Sequence, residues 1–305
     1  MTTWLDELPV LGTLPPEQAA AKLREVGEDE LADALDAARE EAPATYGLGK
    51  LRLRKDRAFR HTTHAIGHLA ATVPRGEPLP IAHAGTIAPD PSLRGARIKL
   101  TLDGLRVADY PGRGAHRVLF DFAAQNQVAE GSEQVHFNAT YRAAEGEQAA
   151  VLGRPIFLGL KVGSEGLLLQ VATVNVHNET DEAFLSFLET DAFKAGLTLA
   201  TSLQPALIPL SAMAMGLTKV IASRHRNVAV QAVEVGLDFR RQPMGARLAE
   251  GSYIAVQLPE SLGAVWRWQD WVYDPLNGRI VGDNDQSQLL PYNYFVVSVS
   301  RFEES

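Results

Sequence analysis

The sequence predicts a mainly β (α+β) protein: an antiparallel β-sandwich, preceded by an N-terminal helical hairpin and interrupted once by a helical insertion. Three observations carry this expectation. From Ala96 onward apolar residues recur with the two-residue period of a half-buried strand. Short turn signals separate about nine such runs, as in an all-β sandwich. The early chain and a stretch at about 180–226 instead carry helical spacing and helix punctuation.

The helices come first. Pro15 and Pro16 precede an alanine-rich run that ends at Gly27, which is the order expected of a short helix: proline in the first turn and glycine past the end. Glu28–Glu41 reads as a second helix. Leu31, Leu35 and Ala38 fall on one face, and acids crowd the first turn, where the helix dipole favours them. Residues 47–60 are basic, and prolines 74, 78, 80, 89 and 91 follow. The predicted organisation is therefore a hairpin and basic segment over 1–60, a proline-rich connector over 61–95, and a sandwich over 96–305.

The strands follow in order. Ile98, Leu100 and Leu102 alternate with Lys99 and Thr101; Val118, Phe120 and Phe122 alternate with Leu119 and Asp121. Val135–Tyr141 and Ile156–Val162 repeat the pattern, and Leu167–Val176, apolar on both faces, reads as a central strand. Val228–Phe239, Tyr253–Leu258, Trp266–Tyr273 and Tyr294–Phe302 complete the set. The insertion is expected to begin with Thr180 capping Asp181 and Glu182. Phe184, Leu185, Leu188 and Phe193 then recur at helical spacing.

Composition excludes several chemistries. The chain of 305 residues holds no cysteine, which removes disulfides, thiolate nucleophiles and cysteine-ligated metal centres. With 29 basic and 37 acidic side chains the net charge is -8, so nucleic acid and anionic lipid are repelled at long range. The N-terminus has acids at Asp6 and Glu7 and no basic region, so it does not read as a secretory signal, and a cytoplasmic location is expected. No Gly-x-Ser-x-Gly elbow and no glycine-rich phosphate loop is present.

Four groups of residues are left as candidates. His61, His64 and His68 share a face if Arg60–Leu69 is helical, and neutral imidazoles there would suit Zn²⁺. The same histidines in an extended segment would instead hydrogen-bond across the domain boundary, and no carboxylate stands among them to act as a general base. Asp103, Asp109 and Asp121 lie at the ends of the first two strands, around the turn-rich loop Asp109–Gly114. Over these thirty or so residues the chain resembles C2-type domains, which gather carboxylates at one end of a sandwich around Ca²⁺. The paired Asp-x-Asp loop of that family and a second calcium loop are missing, and ordinary turn chemistry accounts for the same aspartates.

Trp266, Trp268, Trp271 and Tyr273 form the third group, with Trp266 and Trp268 expected on one strand face. Exposed, they would suit a carbohydrate, a nucleobase or a membrane interface; buried, they fill the rim of the sandwich. The last group is the segment 195–222, uncharged apart from Lys219, which either packs as buried helices or inserts into a membrane after a trigger, although Pro205 and Pro209 oppose insertion. The resulting expectation is a non-enzymatic binding or interaction module, meeting a protein partner through the N-terminal helices or the tryptophans. A membrane-perturbing effector using 195–222 and a metal-dependent hydrolase using His61, His64 and His68 are the alternatives, and a divalent metal, Zn²⁺ or Ca²⁺, is the cofactor considered.

Overall fold

A computed structural model describes residues 3–41, 57–71, 76–128, 131–149, 151–186, 197–199, 216–240 and 245–303. The basic stretch 47–56 lies outside these residues, as does the uncharged segment apart from 197–199 and 216–222. Among the described residues no helix is long and apolar enough to cross a membrane.

The protein is mainly β, and its strands assemble into three sheets. In chain order the strands are β1 (Thr63–Ala70), β2 (Leu79–Pro80), β3 (Ala82–His83), β4 (Arg97–Val107), β5 (Ala115–Val128), β6 (Gly131–Ala144), β7 (Glu147–Gln148) and β8 (Arg154–Lys161). There follow β9 (Gly166–Val176), β10 (Leu197–Thr198), β11 (Asn227–Asp238), β12 (Ala246–Arg247), β13 (Gly251–Leu258), β14 (Trp271–Asp274), β15 (Arg279–Gly282) and β16 (Tyr294–Arg301). The large sheet is ordered β10-β8-β4-β16-β13-β1-β3, with β7 branching from β4. The second is ordered β12-β11-β9-β5-β6, and the small third sheet β15-β14-β2. Most neighbours are antiparallel, but β10 runs parallel to β8 and β12 parallel to β11, so both large sheets are mixed.

The two large sheets share one core. Leu100 and Leu102 of β4, Phe157 of β8 and Phe295 of β16 meet Phe120 and Phe122 of β5 and Val171 of β9. Phe120 lies edge-on to Phe295 with ring centroids 5.7 Å apart, and Phe122 meets Phe157 at 5.8 Å. Each such side chain removed from water contributes about 1.5–3 kcal/mol. The alternation seen in the sequence has its cause here: one face of each strand fills this core. Leu167–Val176 is indeed central, third of the five strands in its sheet.

Each large sheet also has a covered outer face. On the five-stranded sheet, Leu119, Val174 and Ala229 lie under the N-terminal Leu5, Leu8 and Val10, together with Ile221 and Ala222 of a helix over 216–223. On the larger sheet, the third sheet and Trp268 cover Ala65, Ile254, Val256 and Val296.

The N-terminal hairpin forms as expected, from α1 (Pro16–Glu25) and α2 (Asp29–Glu41). Its apolar face does not await a partner in this arrangement. Ala19, Ala20, Leu23, Ala32 and Leu35 all join the main core.

Three local expectations are corrected. Arg60–Leu69 is not helical: Thr63–Ala70 pairs residue for residue with β13, and only Ala58–Arg60 makes a single 3₁₀ turn. The branched Thr62, Thr63 and Ile66 favour that extended course. The insertion helix α3 (Glu179–Leu185) is capped by Asn178, not Thr180; the Asn178 Oδ1 accepts from the Thr180 and Asp181 amides at 3.0 and 3.3 Å. Trp266–Tyr273 is not one strand, because Trp268–Asp270 forms a 3₁₀ turn and extended pairing starts at Trp271.

Candidate functional site

The tryptophan cluster is positioned by a tight local path. After β13 the chain makes a short helix, α4 (Glu260–Gly263), loops through Trp266, turns at Trp268 and enters β14. The β14–β15 turn is tied by Asp274, whose Oδ1 accepts from the Leu276 amide at 3.0 Å. This hairpin lies across the outer face of the large sheet, where Trp268 is buried.

Trp266 and Trp271 stack nearly parallel, with centroids 5.9 Å apart and 6° between planes. Trp266 also meets Trp268 and Tyr292 edge-on, at 5.6 and 6.2 Å. Trp266, Trp271, Tyr273 and Tyr292 are all half-buried at the margin of the sheet. The buried indole nitrogens of Trp266 and Trp268 have no hydrogen-bond partner. The rim is electrically balanced by the exposed Arg267–Asp270 pair at 3.2 Å. Tyr273 is pushed above the usual phenol range by burial, and then by the Asp103 and Asp274 carboxylates. The structure thus joins two groups that stand far apart in the sequence, Tyr273 and Asp103.

The histidines do not form one centre. His64 and His68 stand four residues apart on β1, which separates them by about 13 Å along an extended chain, too far to share an ion. His68 Nε2 donates to the Glu250 carbonyl oxygen at 3.2 Å, while the Gln257 amide donates to the His61 carbonyl oxygen at 2.6 Å. The three aspartates are likewise dispersed. Asp103 accepts from Thr101 and Ser298 on the outer face of the large sheet. Asp109 is held in the β4–β5 loop by Arg57, and Asp121 sits on the far side of the other sheet, 3.3 Å from His136 Nδ1. Among the described residues no three histidine or carboxylate side chains are gathered for a metal.

A second arrangement went unread in the sequence. Between the sheets, at the end where β9 finishes, polar side chains gather in hydrogen-bonded groups. Tyr110 Oη lies 2.9 Å from Thr173 Oγ1 and receives Gln231 Nε2 at 3.0 Å, and His64 lies against the Gln231 amide. Asn175 reaches His116, His177 and the Pro111 carbonyl, all within 2.9 Å. Asn293 bridges Gln257 and Asp109 at 2.9 Å each. Burial pushes His64 and His116 down to about 4, with nearby His177 adding to the effect on His116, so both imidazoles are neutral at neutral pH. Burial raises Tyr110 to about 12. The one signal available was that Gln170, Thr173 and Asn175 stand in an otherwise apolar, central strand, where each must find a partner.

A third polar group faces the N-terminus. Trp4 Nε1 donates to Gln170 Oε1 at 2.8 Å and its ring lies edge-on to His136, 5.2 Å away. No family model, no curated protein and no solved structure matches the chain.

Proposed function

We propose that this chain is a non-enzymatic binding module, a mainly antiparallel sandwich that holds an uncharged sugar ring against Trp271 and Trp266. The observation that carries the reading is the parallel indole pair, half-buried at the sheet margin beside Tyr273 and Tyr292. Indole faces bind the C–H face of a sugar, and neighbouring phenols serve its hydroxyls. The balanced Arg267–Asp270 rim favours a neutral ligand, and the net charge of -8 disfavours a nucleotide. The charged outer side of the N-terminal hairpin is kept for a protein partner, in a cytoplasmic setting.

Titration with a panel of neutral oligosaccharides, followed by tryptophan emission, tests this. Saturable quenching that Trp271→Ala abolishes is expected. A flat response to every sugar, or turnover in a broad hydrolase screen, would overturn it.

A further inference from the structure

The contacts of Asn175 couple the protonation of two histidines. Asn175 is fully buried, and its Nδ2 lies 2.8 Å from the Pro111 carbonyl oxygen. That oxygen only accepts, so the atom facing it must be the amide nitrogen, and the orientation of Asn175 follows. The same nitrogen lies 2.9 Å from His116 Nδ1 and 2.8 Å from His177 Nε2, and only its second hydrogen is left for these two rings. His177 Nε2 also lies 3.0 Å from the Pro111 oxygen; with its hydrogen donated there, the second Asn175 hydrogen goes to a lone pair on His116 Nδ1. Neutral His116 thus keeps its proton on Nε2. A second proton has only Nδ1 to occupy, where it would point at the Asn175 N–H.

We infer that His116 is a proton-operated latch: a proton on Nδ1 sets donor against donor, frees Asn175 from the ring, and releases the Pro111–Gly112 loop on which the N-terminal hairpin is docked. The docking is specific. The Gly112 amide donates to Glu28 Oε1 at 3.1 Å; Glu28 pairs with Arg57 at 3.3 Å; Arg57 grips Asp109 at 2.8 Å. Gly112 itself has φ 98°, and His177 Nε2 lies 2.7 Å from where its β-carbon would stand, so the loop is pressed against the histidine pair.

The charges around the latch act in both directions. Facing His116 are His177, with ring centroids 5.9 Å apart, Tyr110 and Asp109 of the loop, and Glu28 of the hairpin. Facing His177 are Arg226, which opposes a cation there, and Glu182, which favours one. Asp109 and Glu28 favour a cation on His116, but burial and His177 outweigh them. Release would uncover Ala19, Ala20, Leu23 and Leu35, the hairpin's apolar face.

Long-range proton–nitrogen NMR on the full chain at pH 7.5 is expected to show His116 as the Nε2–H tautomer. Amide exchange at Gly112, corrected for intrinsic rate, is expected to report an opening equilibrium that rises roughly seventy-fold between pH 7.5 and 4.5, given an imidazole moved from 6.5 to about 4. His116→Asn keeps an acceptor near the Nδ1 position and cannot titrate, so the rise should vanish. An Nδ1–H tautomer, or Gly112 protection indifferent to pH, would overturn the latch. So would a His116→Asn response equal to that of the parent, which would assign the opening to Glu28 and Asp109. If the variant does not fold, the tautomer and the parent's exchange profile decide the matter.

Discussion

Gly67 and Trp268 are in contact at a distance no side chain would allow: a β-carbon on Gly67 would stand 2.8 Å from the Trp268 ring and 2.6 Å from the Ile81 Cγ2. The benzene edge of the indole, Cζ2 and Cη2, meets the glycine in the middle of β1, where the small third sheet closes on the larger one. Gly67→Ala is therefore expected to force the tryptophan outward, at a cost of about 1–3 kcal/mol. A lower midpoint in urea with an unchanged slope would register it.

The tryptophans should separate into one that holds the fold and a pair that meets ligand. Trp268 is 2% exposed, so Trp268→Ala opens a core cavity and should cost about 3–5 kcal/mol. Trp271 is half-buried, and Trp271→Ala should cost less than half as much while abolishing sugar-dependent quenching. Equal losses of stability in the two variants, measured by chemical denaturation, would contradict this division.

Acid should weaken the protein through His64. Its folded value lies near 4, below the unfolded 6.5, so the native state resists the proton that the unfolded chain accepts. The stability this confers is complete above about pH 6.5 and is lost as pH falls toward 4. Between pH 7.5 and 5 the loss from this residue is about 2 kcal/mol. Denaturation of the parent and His64→Gln at both values measures it; the parent should lose more than the variant.

Asp181 should anchor the end of the helix over 216–223. Its carboxylate is fully buried, accepts from Asn227 Nδ2 at 2.7 Å and pairs with Arg224, while the same Asn227 nitrogen donates to the Ile221 carbonyl. Asp181→Ala removes a charge-assisted contact worth about 2 kcal/mol. Limited proteolysis within 216–226 should accelerate several-fold, with cleavage in the β11–β9 pair unchanged.

Much of the architecture was legible in the chain, for a local reason. An alternating face needs only one side of a strand to be dry, so Ile98–Leu102, Val118–Phe122 and Val135–Tyr141 announced β4, β5 and β6. The punctuation around α1, prolines before and Gly27 after, acts over a single turn and was equally readable. The tryptophan path was misread because three aromatics spaced two and three apart fit a strand or a 3₁₀ turn alike. What settles it is where Trp268 finds Gly67, about two hundred residues earlier.

By itself, then, the sequence determined the β-rich class, the two N-terminal helices, the absence of cysteine chemistry and the aromatic cluster as a place of interest. Strand order decided the rest. Asp103 and Asp121 look like neighbours at the ends of consecutive strands, yet β4 and β5 enter different sheets and present these carboxylates on opposite outer faces. His64, Tyr110, His116, Asn175 and Gln231 look unrelated, yet the crossovers bring them to one end of the shared core. Periodicity reports which side of a strand is buried. Only the tertiary structure says which other strand buries it, because that depends on contacts between residues far apart in the chain.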